Sequence, residues 1–233
     1  MSSETNNSSA SADQKSSSNS SSPWWSLICG LATLTLVAQL KGFDGLWRSP
    51  FDPEWDYTPA PLVMKGGDPY LRALMRTISA SESNSARPYS LLYGGEHVSD
   101  LSYHPDLCVT IVAGPNTGDC TTAAGRYQML TSTWLDKASE YHGQNNSLMF
   151  WNSSYSFEPE DQDQVVYRWL SDPNAWGGAD LAQMLRDGQL ADVLYLLSPT
   201  WTSLGYGIET NDMSSALPQI YDEMLQEELQ NPG

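Results

Sequence analysis

Residues 68–82 read DPYLRALMRTISASE and carry the clearest helical pattern in this chain of 233 residues. Asp68 is a favourable N-cap residue, and the proline that follows it suits the first position of a helix. The apolar residues then recur at the spacing of one helical face: Leu71, Leu74, Met75 and Ile78. The same face reaches Glu82 one turn later. The pattern therefore predicts an amphipathic helix whose buried stripe ends in a carboxylate.

Glu82 is a candidate proton donor because of where this helix places it. A carboxylate on an apolar face loses solvation, and the negative end of the helix dipole acts in the same direction, so both effects raise its predicted pKa. A carboxylic acid that keeps its proton near neutral pH can donate that proton to a departing oxygen atom. A glutamate at a helix end also fits a solvated surface charge, so neighbouring motifs must decide between these two interpretations.

The composition excludes several classes of function. Lys and Arg total 11 against 28 Asp and Glu, which gives a formal net charge of −17. A chain this acidic lacks the basic patches that bind nucleic acid, so no nucleic-acid partner is predicted. The three histidines and three cysteines show neither CxxC nor HExxH spacing, so no metal site and no cofactor are predicted.

The residues before the first helix divide into three segments by composition. Residues 1–22 are half serine and are predicted to be a disordered tail. Residues 23–41 contain an uncharged run at 24–40, which predicts a transmembrane or signal-anchor segment; a buried helix and a cleavable signal are the alternatives. Residues 42–67 are rich in proline and glycine and predict an extended linker. Residues 68–233 then form the predicted globular domain.

The remainder of the domain is predicted to be mostly helical, with short strands at 89–93 and 107–113. Further helices are predicted near five segments: 131–141, 159–170, 179–186, 189–197 and 216–229. Cys108 and Cys120 flank a turn-rich stretch, which places them to face each other across a hairpin. They form either a disulfide, which requires an oxidising compartment, or two unpaired thiols.

Four motifs follow the first helix in a fixed order. The first is LYGGE at residues 92–96, with a His-Pro pair downstream at 104–105. The second, TTAAGRYQML at 121–130, comes directly after the predicted hairpin. FEPEDQD at 157–163 and the pattern SxxWxSL at 198–204 complete the set.

This ordered set resembles the phage lambda lysozyme family of glycan-cleaving endolysins. The resemblance covers about residues 70–207, and its YGGE, His-Pro and AAGRYQ elements are specific in combination. It implies a lysozyme-like α+β fold, mostly helical, with a small β-hairpin lobe that forms one wall of a substrate cleft. A weaker, independent resemblance links Glu82-Ser83 and residues 125–128 to bacterial soluble lytic transglycosylases.

The resemblance implies that Glu82 is the single catalytic acid of a lytic transglycosylase. This acid would protonate the glycosidic oxygen while the 2-acetamido group of N-acetylmuramic acid (MurNAc) assists. It would then accept the proton of the sugar's O6 hydroxyl as a 1,6-anhydro ring closes. The reaction activates no external water, so it requires no second carboxylate of the kind that most glycosidases use. Glu96, Asp100 and Asp106 are the alternatives for a second acid.

The resemblance also implies a set of substrate-binding residues: Ser83, Tyr93, Arg126, Tyr127 and Gln128. Tyr127 and Gln128 match the cleft segment of the family, with packing beneath the cleft as the alternative. Arg126 either pairs with a carboxylate of the sugar's lactyl or peptide portion or makes an internal salt bridge. Ser83 follows the acid where the family usually has glycine, and Tyr93 is expected to line the groove.

The tryptophans of the domain are predicted to have two different roles. Three of them lie among apolar helical positions and are predicted to pack in the core: Trp134, Trp169 and Trp201. Trp151 and Trp176 lie in loop-like sequence and are predicted to stack on sugar faces.

The sequence thus predicts an enzyme that cleaves the β-1,4 bond between MurNAc and N-acetylglucosamine (GlcNAc). Its predicted partners are peptidoglycan glycan strands and, through residues 24–40, the inner membrane. With that substrate the anchored catalytic domain faces the cell-wall (periplasmic) side, although Lys and Arg around the span weakly favour the opposite orientation. The alternatives are a hydrolytic muramidase with the same site and a non-catalytic peptidoglycan-binding protein on a decayed enzyme fold.

Overall fold

The computed structural model describes residues 58–143, 155–206 and 213–231. These residues form six α-helices and one two-stranded antiparallel sheet. In chain order they are α1 Pro69–Glu82, β1 Val109–Thr110, β2 Cys120–Thr121, α2 Thr131–Tyr141, α3 Pro159–Ser171, α4 Leu181–Arg186, α5 Leu190–Leu197 and α6 Leu217–Gln230. The prediction of an α+β fold, mostly helical with a small β-hairpin, is confirmed.

Helix α1 is the central helix of the domain. The Asp68 side chain caps it by accepting hydrogen bonds from the backbone N–H groups of Tyr70 and Leu71, at 2.9 and 3.3 Å. All residues between the first turn and Glu82 are buried, because α1 packs against α3, α4 and α6. The helix and its apolar stripe are as predicted, but its polar side is covered by the protein as well.

Residues 58–67, which we call the N-terminal strap, cover part of that polar side. Leu62 and Met64 of the strap are buried in the hydrophobic core. The Arg72 guanidinium donates to the backbone oxygens of Met64 and Gly66, at 3.1 and 3.0 Å. The strap has no helix or strand, and its contacts with α1 and the core make it part of the domain. The domain therefore begins before residue 68, because apolar side chains and backbone carbonyls of the strap complete the core.

The β-hairpin is short and carries a disulfide. Strands β1 and β2 pair in antiparallel register, with Val109 opposite Thr121 and Thr110 opposite Cys120. Cys108 and Cys120 are joined by a disulfide, with their Cα atoms 5.4 Å apart. The predicted strand at 107–113 is therefore present only at its centre.

The predicted strand at 89–93 is wrong. Pro88–Ser90 form a turn of 3₁₀ helix instead. The next two residues, Leu91 and Leu92, make only isolated bridges, to His97 and Ala124 respectively. Pro88 precedes this stretch, and Gly94 and Gly95, which both adopt positive φ angles, follow it. Too few residues remain between them for a regular strand.

The tryptophan predictions have mixed outcomes. Trp134, Trp169 and Trp201 are buried in the core, which confirms their predicted role. Trp176 is buried too, and its predicted role in sugar stacking is wrong. Its ring stacks on Trp169 with centroids 5.2 Å apart, and its indole N–H donates to the Trp169 carbonyl at 3.0 Å. Trp151 lies outside the described residues.

Residues 1–57 also lie outside the described residues. The predictions of a serine-rich tail, of an anchor at 24–40 and of a linker up to residue 57 therefore stay predictions. Among the described helices, none combines the length and apolarity that crossing a bilayer requires.

Candidate active site

Glu82 lies at the C-terminal end of α1, where it is partly buried. Its Oε1 atom accepts a hydrogen bond from the hydroxyl of Ser203. The Ser203 hydroxyl also bonds to that of Ser81; since a hydroxyl carries one proton, Ser81 donates in this second bond. The backbone oxygen of Ser203 accepts from the Ser214 hydroxyl at 2.8 Å. The carboxyl group is thereby fixed at the junction of α1 and the segment around residue 203.

Residues 124–129 form a tight loop behind this junction. Ala124 and Met129 bridge to each other, and Gly125 and Gln128 adopt positive φ angles of 75° and 45°. The side-chain nitrogen of Gln128, Nε2, donates to the backbone oxygens of Gly125 and Leu91, at 2.9 and 3.2 Å. The Gln128 side chain is partly buried, and its amide nitrogen is committed to the loop.

Two of the predicted binding residues in this loop, Arg126 and Tyr127, are fully buried. The Arg126 guanidinium donates to the strap carbonyls of Ala60 and Pro61 and to the hydroxyl of Tyr89. The Cζ atom of Arg126 lies 5.1 Å from the centre of the Tyr89 ring. These contacts are internal, so the placement of Arg126 agrees with a supporting role and differs from the predicted contact with substrate.

Asp163 is the buried carboxylate that organises this region. Its two oxygens accept from the Tyr127 and Tyr89 hydroxyls, at 2.7 and 2.8 Å, and from the Val63 and Met64 N–H groups, at 2.8 and 3.2 Å. Burial raises the pKa of Asp163, and the nearby guanidinium together with these donors opposes that rise. Burial also raises the pKa of both tyrosines, which therefore remain protonated donors.

Ser83 and Tyr93, the other predicted contacts, have different surroundings. Ser83 is buried, and its hydroxyl donates to the Ser79 backbone oxygen at 2.9 Å, which places it in the end of α1. Tyr93 is partly exposed, and its N–H donates to the Ala123 backbone oxygen at 3.1 Å. Part of Tyr93, beside the 124–129 loop, is therefore accessible to a ligand, whereas the buried Ser83 is not.

The three alternative acids, Glu96, Asp100 and Asp106, are exposed. Asp100 accepts from the hydroxyl and the N–H of Ser102, at 2.6 and 2.9 Å, and these bonds lower its pKa. Asp106 accepts from the Thr131 hydroxyl at 2.7 Å. Glu96 lies in the exposed Gly94–Gly95 turn. A carboxyl with a lowered pKa stays ionised, so Asp100 is poorly suited to donate a proton.

His104 of the His-Pro pair is a buried structural residue. Its Nε2 faces the Met129 carbonyl at 2.8 Å, and its Nδ1 accepts from the Asp106 N–H at 3.2 Å. These partners assign the neutral tautomer with the proton on Nε2. Burial lowers the pKa of His104, in agreement with a neutral ring. The ring therefore fastens the chain before the hairpin to the 124–129 loop.

A cavity of about 540 Å³ borders the end of the 124–129 loop. Its walls come from the residues after the 124–129 loop, from α2, from α3 and from the segment before Ser203. The lining includes Gln128, Thr133, Lys137, Trp169, Thr200 and Trp201. The Trp201 indole donates to the Tyr127 backbone oxygen at 3.1 Å, which joins the cavity wall to the loop. The cavity presents hydroxyl and indole groups, and its wall at Trp201 lies two residues before Ser203, the partner of Glu82.

Sequence reasoning overlooked two residues of the site, Ser203 and Asp163. Ser203 belongs to the motif SxxWxSL and Asp163 to the motif FEPEDQD, so these motifs were the signal that could have revealed both residues. Their roles were hidden because their partners are far away in the chain: Ser203 is 121 residues from Glu82, and Asp163 is 100 residues from Val63. Within the described residues, no group of three or more His, Cys, Asp or Glu side chains is placed to hold a metal ion.

The fold and the site define a small, mostly helical domain with one fixed carboxyl group at the end of its central helix. A family model described as Endolysin matches residues 72–226, which is more than half of the chain. The chain therefore belongs to the endolysin family. This membership confirms the resemblance to the lambda-type lysozymes.

Among known proteins, the chain is similar to the Endolysin of Escherichia phage lambda. The two are 30% identical over 122 residues, which are 51% of this chain and 64% of that protein, slightly less than two thirds of its length. The solved bacteriophage lambda lysozyme complexed with a chitohexasaccharide is 25% identical, with a TM-score of 0.48 over 69% of this chain and 97% of that one. A second structure, lysozyme from bacteriophage lambda, is 20% identical, with a TM-score of 0.45 over 73% and 98%.

Proposed function

We propose that this protein cleaves the β-1,4 bond between MurNAc and GlcNAc in peptidoglycan, as a lytic transglycosylase with Glu82 as its single acid and base. The observation that carries the proposal is the fixed position of Glu82, held by Ser203 at the end of α1 in a chain of the endolysin family. A carboxyl group in a constant orientation is what proton transfer to a bound substrate requires.

In the first step, Glu82 acts as the acid. The Ser203 hydroxyl donates to Oε1, so this oxygen is the carbonyl oxygen of the protonated carboxyl and Oε2 carries the acidic proton. Oε2 gives the proton to the glycosidic oxygen as the bond from C1 of MurNAc to that oxygen breaks. The carbonyl oxygen of the MurNAc 2-acetamido group bonds to C1 in its place, which leaves a positively charged ring and a Glu82 carboxylate.

In the second step, the same Glu82 acts as the base. It accepts the proton of the MurNAc O6 hydroxyl, and O6 bonds to C1 while the bond to the acetamido oxygen breaks. The product is a 1,6-anhydro sugar, Glu82 is protonated again, and no water is consumed. The engagement of Asp100 in a turn and of Asp106 with the Thr131 hydroxyl supports a mechanism without a second catalytic carboxylate.

The remaining site residues divide by their exposure. We assign contact with the glycan to Gln128, which borders the cavity, and to Tyr93, which is partly exposed. Since the Gln128 amide nitrogen is bound to the loop, its carbonyl oxygen is the group that accepts a bond from the sugar. Ser83, Arg126 and Tyr127 are buried and are assigned to support of the site.

Digestion of purified sacculi by the full-length chain and its Glu82→Gln variant tests the proposal. The glutamine keeps the size of the side chain and its bond from Ser203 but has no acidic proton. Release of soluble muropeptides should fall at least about 100-fold. The matched control is Glu96→Gln, which removes an exposed carboxylate and should leave release unchanged. Undiminished release by a folded Glu82→Gln protein would remove Glu82 from the mechanism.

The products distinguish the proposed reaction from its alternatives. An anhydro product is lighter than a reducing-end sugar by one water, so mass spectrometry of the released muropeptides separates a transglycosylase from a hydrolytic muramidase. A protein that sediments with sacculi and releases no product would be a non-catalytic binding protein.

The proposed substrate places the domain on the cell-wall side of the membrane. The Cys108–Cys120 disulfide supports this location, because disulfides persist in oxidising compartments. Recovery of the protein from cells with both thiols reduced would contradict it.

A further inference from the structure

The cavity that borders the 124–129 loop contains one cationic side chain, Lys137. Its ammonium group lies 4.9 Å from the centre of the Trp169 ring, which forms another part of the wall. The Lys137 side chain is 22% exposed and forms part of the cavity wall, so part of it remains accessible. An aromatic ring beneath an ammonium group stabilises the cation and fixes its position.

The ion pair between Lys137 and its carboxylate partner is weak. An oxygen of the neighbouring Asp136 lies 2.9 Å from the ammonium nitrogen, but the Asp136 side chain is 69% exposed. Ion pairs of this kind contribute little, because water solvates both charges nearly as well. A carboxylate that enters the cavity can therefore replace Asp136 at the ammonium group at small cost.

Most other cations of the described residues are committed to internal partners. Five guanidinium groups bind carboxylates, carbonyls or polar side chains of the domain: Arg72, Arg76, Arg126, Arg168 and Arg186. In a chain with a net charge of −17, an anionic ligand is repelled by most of the surface. The Lys137 ammonium group, paired with the Asp136 carboxylate in the same cavity wall, is therefore the group there that can attract an anionic ligand.

We propose that the Lys137 cavity, which shares Gln128 with the glycan contacts, binds a carboxylate carried by the 3-O substituent of a MurNAc residue in the bound strand. This inference rests on the proposed function and adds the feature of the strand that the site recognises. The ammonium group of Lys137 pairs with the carboxylate, and the Thr133 and Thr200 hydroxyls in the cavity wall bind its amides. The volume of about 540 Å³ is adequate for such a substituent.

The carboxylate has two chemical sources. In strands that carry stem peptides, the lactyl carboxyl is part of an amide, so the free carboxylates belong to the peptide. In strands stripped of peptide by an amidase, the lactyl carboxylate itself is free. Chitooligosaccharides, which consist of GlcNAc alone, have no carboxylate at all.

The test compares full-length wild type with Lys137→Met, which keeps the stem and removes the charge. KM for peptide-bearing strands should rise about tenfold with little change in kcat, because the contact is the same in the ground and transition states. Lys137→Arg should retain most of the affinity. Lys65→Met, at a separate cavity of about 260 Å³, is the matched control and should resemble wild type.

Binding of peptide-bearing strands, peptide-free strands and chitooligosaccharides to wild type and Lys137→Met identifies the source of the carboxylate. Loss of affinity for peptide-bearing strands alone supports recognition of the stem peptide, and loss for both kinds of strand supports recognition of the lactyl group as well. Equal affinities of wild type and Lys137→Met for every ligand, or an equal loss for the neutral chitooligosaccharide, would overturn the inference. If wild type releases no muropeptides from sacculi, the proposed function fails, whereas release that depends on Glu82 and not on Lys137 overturns only this inference.

Discussion

Gly125 shows how a single residue shapes the loop behind the active site. Its φ angle of 75° lies in the left-handed region, which glycine adopts without strain. A Cβ atom built on it would overlap the side-chain oxygen of Gln162 and lie 2.7 Å from the Cζ atom of Phe157. The same Gln162 oxygen accepts a hydrogen bond from the backbone N–H of Arg126 at 2.9 Å. The space that a Cβ atom of residue 125 would fill is therefore needed for a hydrogen bond that holds the loop.

Substitution of Gly125 tests this requirement. Gly125→Ala should lower the free energy of unfolding by about 3 kcal/mol, since backbone strain and overpacking act together. Gly95→Ala is the matched control: its φ is 96°, but a Cβ there would have open space, so only about 1 kcal/mol of strain is expected. Urea unfolding of both variants measures the difference, and equal losses would show that the Gln162 contact is unimportant.

At the scale of elements, the N-terminal strap connects α1, α3 and the active-site loop. Its carbonyl groups accept from Arg72 and Arg126, and its N–H groups at Val63 and Met64 donate to Asp163. Asp163 in turn binds the Tyr127 hydroxyl of the loop. The strap therefore adds hydrogen bonds to buried charged groups, which are costly in an apolar interior when they are left incompletely bonded.

Two neighbouring strap residues test whether this segment belongs to the folded core. Leu62 is 7% exposed, whereas Val63 is 45% exposed. Leu62→Ala should lower the free energy of unfolding by about 2 kcal/mol, because it removes buried apolar contacts, and Val63→Ala should lower it by less than about 0.5 kcal/mol. Chemical denaturation checks both values. A negligible effect of Leu62→Ala would mean that the strap is a loose linker, as the sequence predicted.

At the scale of the whole molecule, a buried ionic cluster joins the two ends of the domain. Glu228 of α6 accepts from Arg72 at 2.5 Å and from Arg76 at 3.2 Å, both on α1. Arg76 also donates to the Pro59 backbone oxygen of the strap, at 2.8 Å. The first and last described segments are thus held together through two guanidinium groups that α1 would otherwise bury without a countercharge.

Two adjacent glutamates of α6 test the cluster. The Glu228 side chain is 4% exposed, so Glu228→Gln leaves the buried Arg72 without a carboxylate partner and Arg76 with only the half-exposed Glu227. The expected loss in the free energy of unfolding is about 3–5 kcal/mol. Glu227 also bonds to Arg76, at 2.7 Å, but its side chain is 48% exposed. Glu227→Gln should therefore cost less than about 1 kcal/mol, and similar melting temperatures for the two variants would contradict a structural role for Glu228.

Local interactions made several features predictable from the sequence. The cap at Asp68 and the helical repeat that follows it involve residues within a few positions of each other, and so do the helix at 131–141 and the turn that brings Cys108 to Cys120. The order of the motifs identified the family and the candidate acid Glu82. Side chains that lie close in sequence interact in much the same way whatever the rest of the fold does.

Only the tertiary structure decided which polar residues are internal. Arg126, Tyr127 and Ser83 were predicted to bind substrate but are buried, and Trp176 is packed on Trp169. The strap was predicted to lie outside the domain and is part of its core. Arg126 and Tyr127 bond to side chains 37 and 36 residues away, and the hydrophobic pattern of a segment does not reveal which distant carbonyl or carboxylate will cover it.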